Sequence, residues 1–470
     1  MTEKNKDVME MDGMHIMSDA ELNRKLDILL KTGCLLMESL ADTSRVLRNM
    51  KRVAAYLGFH EQNLHISINY DIILANLSDE YHSFTKFRRC EGHSVNLWTI
   101  MKVSKLTWNC IRDDYSLERY EEELDAIRKH KRSYTPWEVA IGGGFACGGF
   151  CIQFGCDWTA FFYASIAAIL GFRFRMWLGA KKMNAYVSIA VAAFVSTILA
   201  WGFMLLSNHT DIEWLRSQTP YHPFMACALY IVPGVPLINF VSDMLSSHVK
   251  TGIIRAVNTL MIAMAFGIAF AINVCGVDNF VKDLSMTPHH EYWEYSVAAA
   301  ISAMGFSMIF NCPPRLLWAV AMGGIIAICT RNLVSLGPST NNFGLDQGAV
   351  IGSFVGSAVI SIICTRIMHI VHAPHQCISI PSVIPMIPGV LMYRALFAFI
   401  DMHGIVGEVT VAMTNMINAS LIILCISLGV AIPNIFFRKM IAPKREQKMV
   451  NFILQRRLKH DATFNHEEVK

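Results

Sequence analysis

From Trp137 onward the sequence is a succession of apolar runs, most of them about 16–26 residues long, which suits helices crossing a ~30 Å hydrocarbon core. Ten runs lie near 137–154, 158–172, 184–206, 222–241, 252–275, 295–311, 315–334, 348–369, 377–400 and 408–437. The second is short, and Asn311-Cys312-Pro313-Pro314-Arg315 alone separates the sixth from the seventh. With 53% apolar residues and a mean hydropathy of +0.37, the 470-residue chain is too apolar for a soluble domain. It reads as a polytopic α-helical membrane protein in contact with a lipid bilayer.

The N-terminal part is different. Residues 1–18 read as disordered and lack the apolar core of a signal peptide, so the chain is expected to start inside the cell. Apolar residues from Leu22 to Leu57 then recur at steps of three and four, interrupted at Gly33 and ended by Gly58. Strand-like runs follow at Leu64–Ile68, Tyr70–Leu77 and Ser83–Phe87, and helical ones at Val95–Val103, Leu106–Ile111 and Leu117–Lys131. A cytoplasmic α+β domain over 19–136 is expected. Its histidines are irregularly spaced, and no nucleophile and base stand at a recognisable spacing.

Charge supports an even number of crossings. With the polar domain inside, the inside segments hold Arg173, Arg175, Lys181, Lys182, Lys250, Arg315 and Arg366, and the 438–470 tail adds further cations. The outside segments hold Arg216, Lys282 and Arg331 among seven carboxylates. This bias puts both termini on the cytoplasmic side. The net charge of +4 comes without a basic, aromatic-rich tract, which argues against nucleic-acid binding. The 13 cysteines form no C-x-x-C pair, and no metal or cofactor pattern stands out.

Two of the apolar runs are broken by a Pro-Gly pair, at Pro233-Gly234 and Pro388-Gly389. Such a break removes a backbone donor and frees carbonyls, which is tolerated at membrane depth only inside protein or beside a wet cavity. Pro233 lies 95 residues past Glu138 and Pro388 lies 93 past Tyr295. The expected plan is ten transmembrane helices as two five-helix inverted repeats, 137–276 and 295–437, with a transport site at the broken helices. Gly144-x-x-x-Gly148 and Gly352-x-x-x-Gly356 mark close helix packing.

Three stretches resemble the threonine/serine exporter family (ThrE), in a form with both halves on one chain. They are Leu40-Ala41-Asp42-Thr43-Ser44-Arg45 through Gly58, Val232-Pro233-Gly234-Val235-Pro236-Leu237-Ile238-Asn239 through Asp243 with Gly252 and Arg255, and Ile380-Pro381-Ser382 through Gly389. The likeness spans most of 25–437. It implies a cytoplasmic-membrane exporter of threonine or serine driven by the proton gradient; some relatives, split into two polypeptides, are associated with dicarboxylates such as succinate.

The site residues follow from physics. Half-helices starting at Pro233-Gly234 and Pro388-Gly389 offer N–H groups to a substrate carboxylate. Asn239 and Asp243 share a helical face beyond the first break, and Arg394 lies six residues after Pro388. Asn239 and Arg394 are the expected substrate contacts. Asp243, with Asp401 behind it, is the expected proton-coupling carboxylate. A membrane-anchored hydrolase and a channel are the competing classes, and a homo-oligomer is compatible with the chain.

Overall fold

A computed structural model of the chain describes residues 19–78, 83–220, 222–259, 290–338, 343–371, 373–400, 407 and 409–433. These form two compact units. The first takes the chain up to Lys131 and the short Ser246–Thr251 segment; the second takes Arg132–Leu245 and the described residues from Gly252 on.

In the first unit, helices α1 (Asp19–Glu38) and α2 (Thr43–Tyr56) precede a three-stranded antiparallel sheet. Its strands are β1 (Leu64–Ile68), β2 (Ile72–Ser78) and β3 (Ser83–Arg89), with Leu64 opposite Leu77 and Ile72 opposite Arg89. Helices α3 (Leu97–Arg112) and α4 (Leu117–Lys129) follow. Strand β2 shows the two-residue alternation of a half-buried strand: Ile73, Ala75 and Leu77 are buried and their neighbours are not.

The first helical run breaks at a different place from the one expected. Gly33 is inside α1, where a Cβ would strike the Met50 thioether. The turn is made instead by Leu40, with φ of 59°, and by Asp42, whose carboxylate accepts from Arg45 N at 2.8 Å and caps α2. Gly33 is thus a close-packing position. Tyr120 of α4 is fully buried, shares a 3.0 Å hydrogen bond with Thr32 Oγ1 and stacks on Tyr56.

The second unit opens with α5 (Pro136–Gln153), α6 (Trp158–Ala180) and α7 (Ala185–His209). A broken segment comes next: α8 (Pro223–Ala226), a 3₁₀ turn at Leu229–Ile231, then α9 (Gly234–Leu245). Helix α10 is described over 249–259, of which Gly252 onward belongs to this unit. After it come α11 (Tyr292–Ile309), α12 (Leu317–Ser335) and α13 (Gly348–Val371). A second broken segment has α14 (Gln376–Val383), a 3₁₀ turn at Ile384–Met386 and α15 (Gly389–Ile400). The last helix among the described residues is α16 (Val409–Pro433).

Among the described residues, five helices are long and apolar enough to cross a membrane: α6, α7, α12, α13 and α16. The bent pair around Pro233, whose parts meet at 58°, makes a sixth if counted as one span. Helix α6 is longer than its apolar run and carries Arg173 and Arg175 within it, as α12 carries Arg331; none of the three is in a loop. Arg173 lies over the Trp137 ring, 5.2 Å from its centroid, so the apolar body of α5 covers part of this cation.

Helices α5 and α11 begin and end alike. Each starts on a capping box, Thr135 with Glu138 and Glu291 with Glu294, which satisfies donors at the first turn. Each ends in a reversed turn through a left-handed residue, Gly155 at φ 92° and Asn311 at φ 52°. The closing bonds match as well: Phe154 N to Phe150 O with Cys156 N to Cys151 O, and Phe310 N to Phe306 O with Cys312 N to Ser307 O, all at 2.8–3.0 Å. The two helices run antiparallel in direct contact. A Cβ on Gly149 would lie 2.7 Å from Ala298 O, and one on Gly305 would strike Gly142 O. Gly144 and Gly148 face α6 in the same manner, and Gly352 and Gly356 face α12, so both G-x-x-x-G pairs are packing surfaces.

Candidate functional site

The two Pro-Gly breaks have the same local build. A 3₁₀ turn of three residues precedes each proline, because the ring forbids a regular helix through that point. Gly234 N then donates to Val232 O and Gly389 N to Ile387 O, both at 2.8 Å. The first regular helical bonds are Leu237 N to Pro233 O and Met392 N to Pro388 O, both at 3.1 Å. Helices α9 and α15 that follow have 12 residues each.

The breaks also meet. A Cβ on Gly389 would lie 2.5 Å from Leu229 Cδ2 and 3.6 Å from Val232 Cγ2. A Cβ on Gly234 would strike Ile384 Cδ1 and lie 2.7 Å from Ile387 Cδ1. Leu229 and Val232 stand five and two residues before Gly234; Ile384 and Ile387 stand five and two before Gly389. Each glycine therefore packs against the same two positions of the other break. A side chain at either position would have to displace the tips of these aliphatic residues.

A small cavity of about 10 Å³ lies at this junction, lined by Phe150, Leu229, Val232, Phe306, Ile384, Ile387 and Gly389. Six of the seven lining residues come in pairs: Phe150 with Phe306, Leu229 with Ile384, and Val232 with Ile387. The two phenylalanines meet edge to face, with centroids 5.7 Å apart. The lining is apolar, so the helix starts do not form a polar cradle here.

The polar candidates lie further along the half-helices. Asn239 and Asp243 are buried on α9, and Asp243 Oδ2 lies 3.1 Å from Arg255 Nε on α10. Both side chains of that ion pair are 1% exposed. Asn239 and Arg394 each stand six residues after their proline, on α9 and α15. Arg394 is half-buried, and its Nε is buried with no hydrogen-bond partner among the described residues. Asp401 lies outside the described residues. Among the described residues, no group of three or more His, Cys, Asp or Glu side chains is gathered to hold a metal.

Sequence reasoning missed Phe150, Phe306 and the four aliphatic residues of the junction, and gave Arg255 no role at the site. A signal was present. Trp137-Glu138 recurs as Trp293-Glu294 and Gly149-Phe150 as Gly305-Phe306, in each case 156 positions on, and the Pro-Gly pair recurs after 155.

A helical, multi-pass membrane protein with two helices broken at one junction is the architecture of many carriers. Comparison with known proteins makes this specific. The family model described as "Putative threonine/serine exporter" matches residues 27–275, and the one described as "Threonine/Serine exporter, ThrE" matches 295–436. The chain belongs to the threonine/serine exporter family, with both parts on one polypeptide. It is 19% identical over 392 residues to the "Probable threonine/serine exporter" of Mycobacterium tuberculosis, covering 81% of this chain and 71% of that protein. It is 24% identical over 259 residues to the "Probable succinate transporter subunit YjjP" of Escherichia coli K12, covering 54% of this chain and 96% of the relative. An "Uncharacterized protein" of Haemophilus influenzae is 30% identical over 167 residues, 35% of this chain and 51% of its own length. No solved structure matches.

Proposed function

We propose that the chain is a secondary active exporter of threonine and serine, coupled to proton influx, in the cytoplasmic membrane. The observation that carries the reading is the reciprocal packing of the two Pro-Gly breaks, within a chain of this family that carries both parts. Residue i of one half meets j of the other while j of the first meets i of the second, which is the signature of a two-fold contact. Gly149 on Ala298 and Gly305 on Gly142 repeat it, since Ala298 stands 156 positions after Gly142 as Gly305 does after Gly149. Helices α5 and α11 run antiparallel, so a two-fold relating them lies across the helix axes and, for spanning helices, in the membrane plane. That supports two inverted five-helix repeats, 137–276 and 295–437, ten crossings in all, with the 19–136 domain and both termini cytoplasmic.

In this reading Arg394 takes the substrate carboxylate, Asn239 takes a remaining polar group, the backbone at Pro233-Gly234 and Pro388-Gly389 joins them once the two breaks part, and Asp243 carries the proton with Asp401 in support. A protonated Asp243 cannot serve as counter-charge to Arg255. Proton binding and the ion pair are therefore alternatives, and a carrier that alternates between them couples proton movement to a change in helix contacts. No resident cofactor is needed, and no hydrolytic role is assigned to the polar domain.

The likeness to the succinate transporter subunit gives a second reading, dicarboxylate export, a specific basis. Counterflow in proteoliposomes separates the two. Vesicles loaded with unlabelled threonine are expected to accumulate labelled threonine and serine, with succinate well behind. Accumulation of succinate alone overturns the substrate assignment, and absence of counterflow for all three overturns the transport reading.

A further inference from the structure

We propose that Phe150, Phe306 and the aliphatic residues of the two breaks form a central seal, closed in this conformation, that must part for substrate to pass. The inference rests on the transport reading and names the barrier that such a carrier needs. The cavity at the junction, about 10 Å³, holds at most about one water. Small-molecule sites run to about 300 Å³ or more, so an amino acid has no room at this point. The lining is aliphatic and aromatic throughout, which leaves water, and protons carried by water, without partners.

The seal is built from both halves. Phe150 on α5 meets Phe306 on α11, and Gly234 and Gly389 let the 3₁₀ turns come together over them. Every lining side chain has its counterpart in the other half, so the plug sits where the two sets of helices meet. Parting the halves on either side of this point opens the path to that side, while the other contacts stay closed. A seal in this position also keeps the proton gradient from discharging when no substrate is bound.

The test is passive proton entry into proteoliposomes holding the full-length chain, with a pH gradient, a trapped pH dye and no substrate. Val232→Ser, Ile387→Ser and the double variant put a hydroxyl into the plug without adding volume. The expected result is leak well above wild type for both single variants, and about ten-fold for the double variant, as a wetted constriction conducts. Phe306→Leu, which stays apolar, is expected to remain tight. Because the readout needs no substrate, it separates the two claims. Leak in the Ser variants with no counterflow in the wild type leaves the seal standing and removes the carrier. Wild-type counterflow with monodisperse, tight Ser variants overturns the seal alone, and a leaky Phe306→Leu with tight Ser variants overturns it too.

Discussion

The Asp243 carboxylate lies 3.1 Å from the Arg255 guanidinium, and both side chains are sealed from solvent. The two belong to helices on either side of the turn at Ser246–His248, so the pair ties α10 back to the half-helix that starts at Gly234. Removing one partner leaves a buried charge without its counter-ion. Asp243→Asn and Arg255→Gln are each expected to lower stability by about 3–5 kcal/mol, and Asp243→Leu with Arg255→Leu by much less. Thermal unfolding in detergent measures this. Equal losses in the single and double variants contradict the assignment of this ion pair as mutually dependent.

Reciprocity makes a quantitative demand on α5 and α11. Gly149→Ala and Gly305→Ala each force a methyl against a backbone carbonyl of the partner helix. Each is expected to cost about 1–3 kcal/mol, by similar amounts. A Gly179→Ala control, where a Cβ meets nothing within 4 Å, is expected to be neutral or mildly stabilising. Unequal losses at 149 and 305, in the same unfolding assay, break the symmetry argument.

Within the polar unit, Asp42 accepts the Arg45 amide and pairs with its side chain at 3.3 Å, with both residues buried. Asp42→Ala is expected to cost about 1–2 kcal/mol through the lost cap, and Asp42→Asn to restore most of it. A loss that Asn does not relieve assigns the effect to the ion pair with Arg45 instead.

Cys34 and Cys90 bring their sulfurs to 3.2 Å in the same unit. The hydrogen bond to Cys34, and then burial, push the Cys90 thiol up from its ordinary value. A raised thiol pKa keeps Cys90 in the unreactive protonated form at pH 8, and thiolate appears only at higher pH. Maleimide at pH 8 is expected to spare both cysteines in the native protein and to label them after denaturation. Peptide mass mapping reads the result, and rapid native labelling of Cys90 contradicts it.

Much of this was legible in the sequence. The alternation Ile73, Ala75, Leu77 marked β2 because the sheet has one buried face, and Pro233 and Pro388 announced breaks because their rings cannot join a regular helix. The turn at Leu40 was missed because a leucine with positive φ carries no local signal, whereas Gly33 looked like a breaker and is a contact point for Met50. Arg173, Arg175 and Arg331 were assigned to loops by charge, yet long stems let such residues stay within helices near their ends. Arg255 was hidden for another reason: nothing within one helix says that a carboxylate twelve residues earlier folds back onto it. The junction was hidden because Phe150 and Phe306 are ordinary apolar residues until two antiparallel helices bring them together.

The most direct test of the account is export against a gradient. Purified protein in proteoliposomes, given an imposed pH difference, is assayed for uptake of labelled threonine, wild type against Asp243→Glu and Asp243→Asn. The account predicts that threonine accumulates in the wild type only while the proton gradient lasts, that Asp243→Glu retains coupling, and that Asp243→Asn carries threonine downhill alone. Accumulation by Asp243→Asn at the wild-type level, or wild-type accumulation unaffected by collapsing the gradient, contradicts it.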